Sequence, residues 1–235
     1  MAVLFALLLI YGAAAAQVQP PAPARTAQVP SEDPAYHLLV ENPGMRAFQI
    51  ALGPGESTRV HEHQRDLMVV AAGAAQFTLL GPKTERMQMA GGEVQVLTGA
   101  RRHSVRNDAR QSLRLVVIEL GKPFDPARAV CGLGQRACGG EMGGSLTQGA
   151  FVYSVMFETD NFRVVDVTIE PRAVAERFPI KGEHLVVPVT ALQLRKAGEE
   201  IAHQPGEAFW AAEGFTSGVE NIGKEPARWV AIEVR

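Results

Sequence analysis

Cysteine is almost missing from this 235-residue chain, which has two in all, Cys131 and Cys138, and aromatic residues supply only 6%. Two cysteines exclude a disulfide-dense scaffold and leave too few ligands for a cysteine-rich zinc site. Excess charge of either sign is missing as well, with 23 basic against 25 acidic residues, so no basic field points to nucleic acid. Sustained helical periodicity is absent, which argues against a bundle. The apolar run MAVLFALLLIYGAAAAQ at the start is too short to span a bilayer comfortably.

That run ends in alanines that offer an A-x-A cleavage point at Ala14–Ala16, and residues 1–16 read as a secretory signal cut near Gln17. No Lys or Arg precedes Arg25, so an uncleaved anchor is the alternative. Residues 17–35, rich in Pro and Ala with almost no large apolar side chain, read as an extended linker. The expectation is a periplasmic or secreted protein, free of the membrane after cleavage, whose folded part begins near Tyr36. In such an oxidising compartment, a local Cys131–Cys138 disulfide is favoured over two free thiols.

The rest of the chain is written twice. LLVENPGMRAFQIALGPG from Leu38 lines up with VMFETDNFRVVDVTIEPR from Val155, placing Glu41 over Glu158, Arg46 over Arg163 and Pro54 over Pro171, each pair 117 positions apart. Asp66 falls on Glu183 in the same register. From Gly92, which matches Gly206, the offset becomes 114, so the second copy has a shorter hairpin. Within each copy, runs of Val, Ile, Leu, Phe and Thr alternate with Gly- and Asn-containing turns, an all-β pattern that closes most naturally into a sandwich or barrel. The predicted organisation is two tandem β-jelly-roll barrels at residues 36–120 and 151–235, joined by a Gly-rich connection at 121–150 that carries the cysteine pair.

Chemistry concentrates in HEHQRDLMVVAAG, residues 61 to 73. Residues i and i+2 of a strand share a face, so His61 and His63 project together while Glu62 points away. His103 opens a later strand after a Gly-rich turn. Three imidazoles suit one divalent transition metal, Fe, Mn, Ni, Cu or Zn, and do not suit Ca or Mg. Strand-end histidines that merely meet solvent or backbone are the bland alternative.

These residues resemble a known family. Gly55-x5-His61-x-His63-x2-Asp66-x6-Gly73, followed by Gly92 and His103-x3-Asn107, is similar to the two motifs of the cupin superfamily, and the duplication resembles a bicupin. The resemblance implies a jelly-roll barrel holding one metal in its interior, with His61, His63 and His103 matching the family's histidines. Its acid is usually a Glu four or five residues after the second histidine. Here those positions are Leu67 and Met68, and the acid is Asp66, three residues after His63. The site is then either three histidines with Asp66 or three histidines completed by water. A second departure is Leu97-Thr98-Gly99 in place of a Pro-containing turn, with one extra residue before His103.

The second copy acts as a control. It has Phe178, Ile180 and Ser217 at the three histidine positions, and His184 and His203 fall elsewhere, so the second barrel is expected to be metal-free. Glu41 and Glu158, Arg46 and Arg163, Glu119 and Glu233, Asn107 and Asn221 recur in both copies. That recurrence assigns them to turns and ion pairs rather than to the site. Arg101 and Arg102 lie in a basic cluster that reads as a solvated loop or as contacts for an anionic substrate.

Two functions follow. One is an exported metal-binding bicupin that acts as a small-molecule metalloenzyme, such as an oxygenase. The other is a non-catalytic exported protein that binds a metal or small ligand, or serves as scaffold. Either takes a small molecule as partner and leaves room for a homodimer, while the substrate is not named by any residue.

Overall fold

A computed structural model describes residues 30–134, 138, 146–148, 150–176, 180, 182–215 and 217–235. The signal segment, residues 17–29 of the linker and Phe178 lie outside the described residues. No described helix is long and apolar enough to cross a membrane.

The first copy supplies β1 (Tyr36–Asn42), β2 (Met45–Leu52), β3 (His61–His63), β4 (Leu67–Ala71), β5 (Ala75–Leu80), β6 (Glu85–Met89), β7 (Val94–Leu97), β8 (Arg101–Asn107) and β9 (Leu113–Leu120). After the connection and its strand β10 (Leu146–Gln148), the second copy supplies β11 (Phe151–Glu158), β12 (Phe162–Ile169), β13 (Val174–Ala175), β14 (His184–Pro188) and β15 (Leu192–Lys196). It ends with β16 (Glu199–His203), β17 (Phe209–Ala211), β18 (Val219–Asn221) and β19 (Ala227–Val234).

The duplication reappears in the topology. Copy one has sheets of order β1-β2-β9-β4-β7 and β3-β8-β5-β6. Copy two repeats both orders as β11-β12-β19-β14-β17 and β13-β18-β15-β16, with β10 added at the edge of the larger sheet. Part of the segment that composition assigns to the connection is therefore a strand of the second barrel. Even an irregularity is shared, because the register shifts between Leu38 and Val40 and again between Val155 and Phe157.

Long apolar runs such as RLVVIEL arise because the larger sheets are buried on both faces. One face of β9 presents Leu115 and Val117 to the interior of barrel one, where they meet Phe48, Phe77 and Val105. Its other face presents Val116 and Ile118 to a second core shared with Val164, Leu185 and Ile232 of copy two. A third core around Trp229, Phe151 and Ile169 fills barrel two. The apolar face of each larger sheet is thus covered by the other copy within the same chain.

The recurrent polar residues hold turns and strand ends. Arg46 pairs with Glu41 at 3.2 Å, and Arg163 pairs with Glu158 at 3.4 Å at the equivalent place. Buried Asn107 donates to the carbonyls of Leu52, Gly53 and Gln111, and Asn221 donates to those of Ile169 and Glu225. Cys131 and Cys138 are joined in a disulfide. Cys131 is buried and bridges to Glu158 of β11, so the crosslink sits where the connection docks on barrel two.

Candidate metal centre

β3 and β8 are antiparallel neighbours, with His61 directly opposite His103 and His63 opposite Arg101. Alternation along β3 buries His61 and His63 completely while Glu62 stays half-exposed. The turn before β8 runs through Gly99 at φ 77°, a left-handed conformation that favours glycine, and delivers His103 inward at 6% exposure. The three rings then enclose one point: centroids lie 4.9 Å apart for His61 and His63, 4.8 Å for His61 and His103, and 5.3 Å for His63 and His103. One ligand nitrogen from each lies within 4.8 Å of the others.

Hydrogen bonds fix which nitrogens face that point. His61 Nδ1 lies 2.9 Å from the Arg59 carbonyl, which only accepts, so Nδ1 carries the proton and Nε2 keeps a lone pair. His63 Nδ1 lies 2.9 Å from Glu119 Oε1 and donates to that carboxylate, again leaving Nε2 with a lone pair. His63 Nε2 is fully buried and has no hydrogen-bond partner. An orphaned lone pair inside a barrel is a costly arrangement unless something binds it. Together with two further imidazoles at the same point, it fits a transition-metal ion and gives a hard cation such as Mg little to bind.

Burial keeps the rings of His61 and His103 neutral near pH 7. Burial lowers His61 to about 4 against the opposing pull of its bond to Arg59. Burial lowers His103 to about 3, assisted by His61, His63 and Arg101. Burial would raise Glu119, but its hydrogen bond from His63 and the nearby Arg46 outweigh that, so its carboxyl is held below the ordinary range.

Of the residues singled out in the sequence, the structure brings His61, His63 and His103 together and leaves Asp66 out. Asp66 Oδ1 accepts from the Gly99 amide at 2.7 Å and Oδ2 from the Phe124 amide at 2.8 Å, so both oxygens tie loops. The reason is local: β3 and β4 belong to different sheets, and the chain changes direction at Asp66 between them. Asp66→Ala is expected to lower stability by about 0.5–1.5 kcal/mol, because the exposed Gly99 amide rehydrates and only the half-buried Phe124 amide loses its partner, while metal stoichiometry stays at the parental level. Loss of metal at an unchanged urea midpoint would return Asp66 to the ligand set.

Three residues near the site were not among the sequence candidates. Glu119 orients His63 and also accepts from Arg46 Nη1 at 3.2 Å. Period-two counting from Leu115 and Val117 places it on the interior face, a signal hidden by its recurrence as Glu233. Tyr36, 5% exposed, donates its hydroxyl to His61 Nε2 at 2.8 Å. Burial, then the carboxylates of Asp33 and Glu119, raise that phenol well above its usual pKa. Asp33 falls in the stretch assigned to the linker, yet it is buried and accepts from the Arg59 amide at 2.6 Å and the Ala35 amide at 3.0 Å. It thereby braces the approach to β3.

A cavity of about 280 Å³ reaches His103 from the surface between Leu79, Gly81, Lys83, Glu85 and Arg101. Arg101 is partly neutralised by Glu85 at 3.3 Å. In barrel two, Ile180 is buried in the apolar core, Ser217 is exposed in a turn, and Phe215 stands against buried His184 with centroids 6.3 Å apart. His184 Nδ1 meets the Gly182 carbonyl at 3.0 Å, and His203 stacks on Phe209 at 4.1 Å.

No family model and no curated protein matches the chain. Solved structures do. A cupin 2 conserved barrel domain protein from Leptotrichia buccalis superposes with a TM-score of 0.51 at 14% identity, covering 85% of this chain and 88% of that one. A variant of Bacillus subtilis oxalate decarboxylase superposes with a TM-score of 0.52 at 15% identity, covering 84% of this chain and 71% of that one. At such identities the likeness speaks for architecture, and by its architecture the chain has the cupin fold, with its two barrels in a bicupin-like arrangement.

Proposed function

We propose that barrel one binds a single divalent transition-metal ion through Nε2 of His61 and His63 together with His103, and that the protein is an exported small-molecule metalloenzyme, such as an oxygenase. The observation that carries this reading is the buried, partnerless Nε2 of His63, aimed at two other imidazoles. A metal there supplies Lewis-acid or redox chemistry to a bound small molecule. The protein's own part is to fix the Nδ1–H tautomer of His61 and His63, so that their Nε2 lone pairs face inward, through the Arg59 carbonyl and the Glu119 carboxylate, and to exclude bulk water with the apolar interior.

The cavity lined in part by His103 supports a site open to a small molecule over a closed structural one. Lys83 at its rim suits a molecule bearing negative charge. The Cys131–Cys138 disulfide supports the exported reading.

Elemental mass spectrometry on protein purified without a metal-affinity tag tests the proposal, beside a His61→Ala/His103→Ala double variant. About one equivalent of metal in the parent and under about a tenth of that in the variant is expected for a single site. Equal emptiness of both after reconstitution with Mn, Fe, Ni, Cu and Zn would overturn it.

A further inference from the structure

We propose that Tyr36 supplies a fourth protein ligand, its phenolic oxygen taking the place at the metal that no carboxylate fills. The inference rests on the three-histidine centre proposed above and goes beyond it to the donor set.

Asp66, the acid nearest in sequence, is spent on the Gly99 and Phe124 amides, and Glu119 is engaged with His63 and Arg46. Among the described residues, no carboxylate joins the three-histidine cluster. Tyr36 does approach it. As the first residue of β1 it reaches over β3, with its ring 4.8 Å from that of His61 and 6.1 Å from that of His63. Its hydroxyl lies 2.8 Å from His61 Nε2, the same nitrogen that the Arg59 contact leaves free to bind metal.

Two donors at about 2.1 Å from one ion stand about 3 Å apart at right angles and about 3.4 Å apart in a tetrahedron. The 2.8 Å between the hydroxyl and His61 Nε2 puts the oxygen within a few tenths of an ångström of the spacing that two ligands at right angles on one ion require. Metal binding also removes its present acceptor, since one lone pair of His61 does not serve both the ion and the phenol. A buried hydroxyl left without a partner costs about 1–3 kcal/mol. Coordination resolves this: the O–H proton passes to solvent as the oxygen–metal bond forms, and no electron is transferred.

Tyr36→Phe keeps the ring, which packs edge-on against Phe48 at 5.9 Å, and removes only the donor atom. Parent and variant are loaded with Cu(II), and visible absorption with resonance Raman scattering is recorded alongside metal stoichiometry. The expected result is a phenolate-to-copper charge-transfer band with tyrosinate vibrations in the parent, absent from the variant, and Zn(II) affinity in the variant weaker by about tenfold or more. The band decides, and the parent alone suffices to test it should the variant misfold. A parent that binds one equivalent of copper with no such band, or a band that survives in Tyr36→Phe, overturns the role of Tyr36 while the three-histidine centre stands. A parent that binds no metal overturns both.

Discussion

Glu119→Ala is expected to weaken metal binding by about 10- to 100-fold, the usual consequence of removing a carboxylate that orients a ligating histidine. The carboxylate does two things in this fold. It fixes the proton of His63 on Nδ1, which turns the Nε2 lone pair inward, and it compensates Arg46 at the end of β2. Without it the His63 ring loses both its preferred tautomer and its rotational restraint. Stability of the metal-free protein should fall by about 2–3 kcal/mol. This is below the range for breaking a fully buried pair, because Arg46 is a quarter exposed and keeps Glu41. Glu119→Gln separates the two roles, since its amide oxygen still accepts from His63 while its amide nitrogen faces Arg46. Chelator competition and urea unfolding read the two effects, and binding within about twofold of the parent in Glu119→Ala would show that His63 needs no such restraint.

Glu119 also shows where the sequence stopped being informative. Its recurrence as Glu233 points to a structural role, and the register is indeed shared, with Arg46 opposite Glu119 and Arg163 opposite Glu233. The same position nevertheless does different work in the two barrels, because only copy one places a histidine of the neighbouring sheet beneath it. The duplication and the all-β architecture were legible since they rest on strand periodicity and repeated turns, which are local. His61 and His63 were legible for the same reason: one strand, one face. Asp66 misled because parity counting holds within a strand and fails across the step from β3 to β4, where the chain changes sheets. Tyr36 and Asp33 lie far from the motif in sequence, and their place at the site depends on how β1 and the turn before it lie over β3, which no local pattern encodes. Composition counted Asp33 as linker, yet a single buried carboxylate with two amide donors is enough to anchor that stretch.

Acidification is expected to weaken the metal-free protein by roughly 3 kcal/mol or more between pH 7 and pH 4, because its buried histidines resist protons that the unfolded chain accepts. Both His61 and His103 have folded-state pKa values below the ordinary 6.5, about 4 and about 3. Their contribution is therefore fully present above pH 6.5. It declines as pH falls through that value, and levels off only below the folded values, with a slope of up to about 1.4 kcal/mol per pH unit for each ring. Glu119, held below its ordinary value, adds loss in the same direction at the acidic end. Burial also lowers His184, so a residual slope from barrel two remains. The informative quantity is then the difference in urea-derived stability between the parent and the His61→Ala/His103→Ala variant at pH 7, 5.5 and 4. A parental slope no steeper than the variant's would mean that these rings take up protons as readily folded as unfolded. The same burial that makes them resist protons keeps their lone pairs available to an ion, so metal release from the folded protein should set in only near the folded values, below the pH at which stability begins to fall. Bound metal should carry the loss of stability to lower pH, because a proton must then displace the ion before it can reach the ring.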